Sequence, residues 1–221
     1  MYKINQFIEH TLLRPDIVDS DVSKLVEEAI DYSFLGVCVP PFWVKRASRE
    51  ISKSRLQLIT VVGFPFGYSM TEAKVEEIDR AIESGANELD VVINISAFKS
   101  NMSWAKIELA KFSKIIHNNG CLMKTIIETA YLTNDEIVEA CKIAVESGTD
   151  FVKTSTGFAP TGAKAKTVKL IRKNIPQNVG VKASGGIKDY GTARLMIESG
   201  ADRLGMSSSL KVIKESFELN S

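Results

Sequence analysis

Lys153 lies between Val152 and Thr154 in the stretch Phe151-Val152-Lys153-Thr154-Ser155-Thr156-Gly157, which opens as an apolar strand and closes as a polar turn. In an extended chain Phe151 and Lys153 share one face, and Val152 and Thr154 the other. Lysine is rarely buried unless it is paired or reactive. Burial disfavours the ammonium and lowers the pKa from about 10.4, which frees a nucleophilic amine. Such an amine forms Schiff bases with carbonyl compounds. A lone strand-end lysine would more simply run its stem along the sheet and keep its head in water. The stretch Val181-Lys182-Ala183-Ser184-Gly185-Gly186 argues against that simpler reading, because it repeats the arrangement of apolar strand, single lysine and small-residue turn.

Other strand-like stretches bring further groups. One carries Glu9, His10 and Thr11, another Asp90 with Val92 and Asn94 on the same face, and a third Lys124 followed by Glu128. Asp90, Lys153 and Lys182 lie on different strands, so they can meet only across an enclosed lumen. There the second ammonium would disfavour protonation of the first lysine, and the aspartate could orient it or relay protons. A buried ion-pair network that merely fills the lumen would use the same residue types.

A repeat shows what positions these groups. Ile82-Glu83-Ser84-Gly85-Ala86-Asn87-Glu88-Leu89-Asp90 is echoed by the segments beginning at Val145 and at Ile197. Each reads as a helix end, a glycine cap, a short turn and a strand. Eight strands are expected: Phe7 to Leu12, Gly36 to Val39, Gln57 to Gly63, Glu88 to Asn94, Leu122 to Glu128, Phe151 to Ser155, Gly180 to Ser184 and Arg203 to Met206. Helices lie between them. Val22, Leu25, Val26, Ala29 and Ile30 form one stripe, and Trp104, Ile107, Lys111 and Ile115 mark another helix. Ser69-Met70-Thr71-Glu72 and Thr133-Asn134-Asp135-Glu136 read as capping boxes. Val168, Leu170 and Ile171, then Leu195, Met196 and Ile197, mark two shorter helices. This alternation over 221 residues predicts a single-domain (β/α)8 barrel spanning 1–221. A doubly wound open sheet is disfavoured, because no G-x-G-x-x-G follows the first strand.

Barrel chemistry sits at the C-terminal strand ends. The turns there are Thr154-Ser155-Thr156-Gly157, Ser184-Gly185-Gly186 and Gly205-Met206-Ser207-Ser208-Ser209. Glycines let backbone N–H groups approach an anion, and hydroxyls add donors. Any one of these stretches could be ordinary turn chemistry, but three adjacent ones beside two lysines favour a phosphorylated substrate, and a phosphate site after strands seven and eight is a recurring barrel feature. Gly63-Phe64-Pro65-Phe66-Gly67 reads as a rigid loop over the mouth, and the residues from Phe158 to Lys166 as a longer loop that could form a partial lid. His10 could order the site or be structural, and His117 is expected to be solvated at a helix end.

The bulk properties narrow the class. Lys+Arg 28 against Asp+Glu 27 gives a formal charge of +1, which argues against a general nucleic-acid or membrane surface. No run is long enough to span a membrane, and Met1-Tyr2-Lys3-Ile4-Asn5-Gln6 lacks a signal-peptide layout, so a cytoplasmic location is expected. Cys38, Cys121 and Cys141 read as buried, reduced residues. With two histidines and no zinc spacing, no metal site is expected.

Taken together, Val37-Cys38-Val39, Glu88-Leu89-Asp90-Val91-Val92-Ile93-Asn94, Lys124-Thr125-Ile126-Ile127-Glu128-Thr129 and the two lysine stretches resemble the deoxyribose-phosphate aldolase family. The resemblance runs from Glu9-His10-Thr11-Leu12-Leu13 to Gly205-Met206-Ser207-Ser208. It implies a (β/α)8 barrel that reversibly cleaves 2-deoxy-D-ribose 5-phosphate to D-glyceraldehyde 3-phosphate and acetaldehyde, with no cofactor. It implies Lys153 as the Schiff-base lysine and Lys182 with Asp90 as the proton-transfer pair. By the same resemblance Gly157, Gly185, Gly186, Ser207 and Ser208 hold the phosphate. Glu9 stands where an aspartate is common and Pro40 where an asparagine is frequent. Phe217-Glu218-Leu219-Asn220-Ser221 lacks the terminal tyrosine of some members. The alternatives are another Schiff-base aldolase or transaldolase, and a catalytically silent phosphate-binding barrel. The expected partners are a small phosphorylated sugar and aldehydes. The oligomeric state stays open, a homodimer and a homotetramer both being compatible with the sequence.

Overall fold

In a computed structural model that describes residues 3–219, eight parallel strands close into a barrel in sequence order, and the eighth pairs with the first. The first half runs β1 (Ile8–Thr11), α1 (Asp19–Asp31), β2 (Gly36–Val39), α2 (Val44–Ile51), β3 (Gln57–Val62), α3 (Thr71–Glu83), β4 (Glu88–Val92), α4 (Ile95–Lys99) and α5 (Trp104–Asn118). The second half runs β5 (Leu122–Ile126), α6 (Asn134–Glu146), β6 (Phe151–Lys153), α7 (Ala165–Asn174), β7 (Gly180–Ser184), α8 (Tyr190–Glu198), β8 (Arg203–Met206) and α9 (Ser209–Glu218). The readings of the two chain ends rest partly on Met1, Tyr2, Asn220 and Ser221, which lie outside the described residues.

All eight expected strands are present. They are apolar and largely β-branched because one face meets the helices and the other the lumen, leaving neither in water. Between sheet and helices lies the main core. Val22, Leu25, Val26 and Ala29 of α1 are buried in it, as are Ile137, Ala140, Cys141 and Ala144 of α6. The three cysteines are buried and unpaired. Among the described residues no helix is long and apolar enough to cross a membrane.

One local expectation holds and several others are corrected. The box at Thr133 forms: its hydroxyl accepts from Glu136 N–H, and its own N–H donates to the Glu136 carboxylate. The box at Ser69 does not form. Helix α3 starts at Thr71 behind Met70 without a side-chain cap, and the Thr71 hydroxyl donates at 2.9 Å to the buried Glu108 instead. In α5 the buried face is Ala105, Leu109, Phe112 and Ile116, while Trp104 and Ile107 of the expected stripe stand in solvent. Strands β4, β5 and β6 each end two residues early. Asn94, expected in β4, instead caps α4 by accepting from Ala97 N–H at 3.1 Å.

Candidate active site

Side-chain alternation decides what enters the lumen. In β4 the residues two apart, Glu88 and Asp90, both reach Lys124 of β5, at 2.5 and 3.0 Å. Register brings Asp90 beside Lys124 and Lys153 beside Lys182. Lys182 extends across the lumen to both Asp90 and Glu9. It can do so because β8 offers Gly205, where a Cβ would lie 2.9 Å from the Lys182 Cε. At the lower end of the lumen the Arg203 guanidinium lies over the Phe151 ring, 5.2 Å from its centroid, and reaches Glu9 and Glu88 at 3.5 Å.

The three central residues are thereby brought together. Lys153 Nζ donates to Asp90 Oδ2 at 2.7 Å, and Lys182 Nζ donates to the same oxygen at 2.6 Å. Lys153 is 2% exposed, and Asp90 and Lys182 are not exposed at all. Burial opposes every charge here, and neighbours decide the outcome. Desolvation pushes the Lys153 pKa down; Asp90 opposes the shift, and the Lys182 charge adds to it. Lys182 goes the other way, because Asp90 and Glu9 outweigh burial and hold its proton. Lys124, Lys153 and Lys182 likewise outweigh burial at Asp90 and keep its carboxyl well below the usual range. The charge count agrees. Glu9, Glu88 and Asp90 face Lys124, Lys182 and Arg203, and the set is neutral when Lys153 is a free amine.

Above Lys153 opens a cleft of about 410 Å3, lined by Thr156, Gly157, Gly185, Gly186, Ser207 and Ser208 among others. All five expected phosphate-binding residues thus border the cleft that Lys153 borders. Gly157 and Gly185 have φ of 90° and 82°, a backbone that other residues rarely adopt. A Cβ on Gly185 would lie 3.1 Å from Gly162 Cα and 3.3 Å from Gly157 Cα, so the glycines are packed backbone to backbone. Ser207 and Ser208 precede α9, whose N-terminus adds partial positive charge to the same cleft.

The two mouth loops also meet: the Phe64 and Phe158 rings pack edge to face at 5.2 Å. Ala163 N–H donates to the carbonyls of Ser184 and Gly185 at 3.0 Å, tying the longer loop to β7. Cys38 faces the lumen in a small cluster with Ile59 and Val61, and burial pushes its thiol up to about 11. His10 is buried between Ser209 and Glu28, while His117 is half exposed and bonded to Asp150 at 2.8 Å. Glu88 and Arg203 also belong to the site, though neither is among the residues expected from the sequence. Glu88 was readable as the residue two before Asp90 on one face; Arg203 had no comparable signal. Among the described residues no His, Cys, Asp and Glu group is placed to hold a metal ion.

A closed parallel barrel with a lysine–carboxylate lumen opening onto a glycine-lined cleft at the C-terminal strand ends has the layout of a (β/α)8 enzyme. The chain belongs to the DeoC/LacD family of aldolases, whose family model matches residues 4–214. It is 45% identical over 218 residues to a deoxyribose-phosphate aldolase from Clostridium tetani, covering 97% of this chain and 99% of that protein. A solved aldolase, QR15, superposes with a TM-score of 0.94 at 38% identity, covering 100% of this chain and 98% of the other. The deoxyribose phosphate aldolase of Aeropyrum pernix, described as having a unique tetrameric structure, superposes with a TM-score of 0.92 at 33% identity, covering 98% and 92%.

Proposed function

We propose that this chain reversibly cleaves 2-deoxy-D-ribose 5-phosphate to D-glyceraldehyde 3-phosphate and acetaldehyde through a Schiff base on Lys153. The observation that carries this reading is the buried lysine with a lowered pKa, held by Asp90 beside a cationic Lys182 and bordering the glycine-lined cleft. The Clostridium tetani relative, named deoxyribose-phosphate aldolase, supports the choice of substrate.

The chemistry runs as follows. Neutral Lys153 Nζ adds to the aldehyde carbon of the open-chain sugar to give a carbinolamine. Loss of water leaves an iminium, an electron sink for the carbon–carbon bond one carbon away. A base removes the proton of the 3-hydroxyl, the bond electrons flow to the iminium nitrogen, and glyceraldehyde 3-phosphate leaves. The remaining enamine takes a proton on carbon, and water hydrolyses the resulting iminium to acetaldehyde and free lysine. Asp90, bonded to Lys153 Nζ, and Lys182, bonded to the same Asp90 oxygen, move these protons directly or through water. Gly157, Gly185, Gly186, Ser207 and Ser208 hold the phosphate, supplying binding energy remote from the bond that breaks.

In this reading residues 1–221 act as one catalytic domain in the cytoplasm, in the breakdown of deoxyribose phosphate. Its partners are a small phosphorylated sugar and aldehydes, with neither nucleic acid nor membrane. It assembles as a homodimer or homotetramer, the latter being the state named for the Aeropyrum pernix structure. The test is reduction with borohydride in the presence of acetaldehyde alone, followed by peptide mapping. A stable ethyl adduct on Lys153 is expected; labelling elsewhere, or none, would reject the mechanism.

A further inference from the structure

Glu128, two residues beyond the end of β5, has an unusual backbone. Its φ of 49° and ψ of 70° place it in the left-handed region, where a non-glycine residue is strained. It is 2% exposed. One carboxylate oxygen, Oε2, accepts the Thr156 N–H at 3.0 Å and also the Thr156 hydroxyl. That hydroxyl in turn accepts the Phe158 N–H at 3.1 Å. The flanking backbone is tied as well, since Thr129 N–H donates to Thr154 carbonyl at 2.9 Å.

These contacts have a directional consequence. Thr156 spends both of its donors on Glu128, so neither is available to a ligand in the cleft it borders. Glu128 instead fixes the two residues that flank Gly157, namely Thr156 and Phe158. Gly157 is packed on Gly185, and Gly185 on Gly162, with backbone against backbone. A shift at Thr156 is therefore transmitted through rigid contacts to the cleft's glycines.

We propose that Glu128 is a positioning residue that sets the anion-gripping turn after β6, and so selects phosphorylated over unphosphorylated substrates. The inference rests on the proposed function. Its role is that of a hydrogen-bond acceptor at a fixed distance, not that of a base. Its carboxylate reaches the turn after β6 through Oε2.

The test compares 2-deoxyribose 5-phosphate with 2-deoxyribose in wild type, Glu128→Ala, Glu128→Asp and Glu128→Gln. The readout is the ratio of the two kcat/KM values. The ratio is expected to fall about tenfold in Glu128→Ala and Glu128→Asp, with the change in KM for the phosphorylated sugar, matching about 1.4 kcal/mol of lost binding. Glu128→Gln keeps a carbonyl acceptor for both Thr156 donors and should stay at or above the wild-type ratio. If Glu128→Ala does not fold, Glu128→Asp decides, since it withdraws the acceptor by one methylene. Equal losses on both substrates, or a fall in Glu128→Gln as large as in Glu128→Asp, would overturn the inference. Borohydride trapping of acetaldehyde in wild type separates this from the underlying reading: if wild type is not labelled at Lys153, the proposed function fails; if it is labelled and the ratios do not move, only the Glu128 role fails.

Discussion

Lys153 and Lys182 donate to the same oxygen of Asp90, at 2.7 and 2.6 Å, yet the protein pushes their pKa values in opposite directions. The difference lies in the second partner. Lys182 also reaches Glu9, whereas Lys153 has Asp90 alone and a like charge beside it. One carboxylate oxygen cannot fully compensate two buried ammonium groups, so the less well partnered one gives up its proton.

Lys182→Met should therefore raise the Lys153 pKa by removing the neighbouring positive charge. It also frees Asp90 to serve Lys153 alone. Both effects leave less free amine, so trapping by acetaldehyde and borohydride at pH 7 should slow by about tenfold or more. Raising the pH should recover trapping in the variant more than in wild type, while turnover recovers less because proton transfer stays impaired. The measurement is trapping rate against pH in both proteins. An unshifted profile would leave Lys182 as a proton carrier only.

Lys153→Arg keeps a positive charge against Asp90 but has no amine that deprotonates in the working range. Cleavage should fall by about 10⁴-fold or more, the scale on which removal of a covalent nucleophile acts. Circular dichroism should match wild type. Substantial remaining cleavage would sink the Schiff-base assignment.

Activity should withstand exhaustive dialysis against EDTA, because the Lys153 iminium itself would accept the electrons of the breaking bond. Loss of turnover on chelation, restored by a divalent ion, would place the chemistry in a different aldolase class.

Outside the lumen, Lys74 is fully buried against Glu108 at 2.9 Å and donates to the Val92 carbonyl at 3.2 Å, at the end of the strand that carries Asp90. Lys74→Met leaves a buried carboxylate with only the Thr71 hydroxyl. A loss of about 3–5 kcal/mol is expected, lowering Tm by about 6–20 °C. Adding Glu108→Leu should return much of it, because the uncompensated charge is then gone. No recovery in the double variant would assign the loss to the Val92 contact instead.

Much of this was legible in the sequence, and the exceptions share a cause. Strands were readable because their burial on both faces forces continuous apolar runs, and Lys153 and Lys182 stood out against those runs. The C-terminal strand limits were less readable. Glu128 and Asn94 continue the pattern of their strands, but their neighbours are loops and helix starts that only the closed barrel supplies. Helices α2, α4 and α9 were not singled out; α4 has five residues and α2 eight, too short to display a convincing stripe. The α5 face differs from the sequence pattern because Trp104 and Ile107 are apolar yet exposed, while Glu108 is buried against Lys74. Spacing alone places Glu88 on the Asp90 face, whereas Arg203 acquires meaning only from partners on other strands.

His10 links the N-terminus of α9 to α1. Its Nδ1 pairs with Ser209 Oγ and its Nε2 with Glu28 Oε2, each at 2.9 Å, and its ring packs edge to face on Phe34 at 5.4 Å. Burial lowers its pKa below the ordinary 6.5, and Glu28 only partly offsets this. The native state therefore resists a proton that the unfolded chain accepts. The sign follows from linkage: stability from this residue is present above about pH 6.5 and is lost as pH falls through the lower native value. His10→Gln lacks that dependence. At pH 8 the variant should be less stable by about 1–3 kcal/mol for the two lost hydrogen bonds, which is a Tm lower by several degrees. Between pH 6.5 and pH 5 the gap to wild type should narrow, because only wild type loses stability to His10 protonation. Thermal unfolding of both proteins across this range checks the prediction. A constant gap would mean that His10 titrates alike in the folded and unfolded chains, and a widening gap would mean that the Glu28 pair, rather than burial, dominates its pKa.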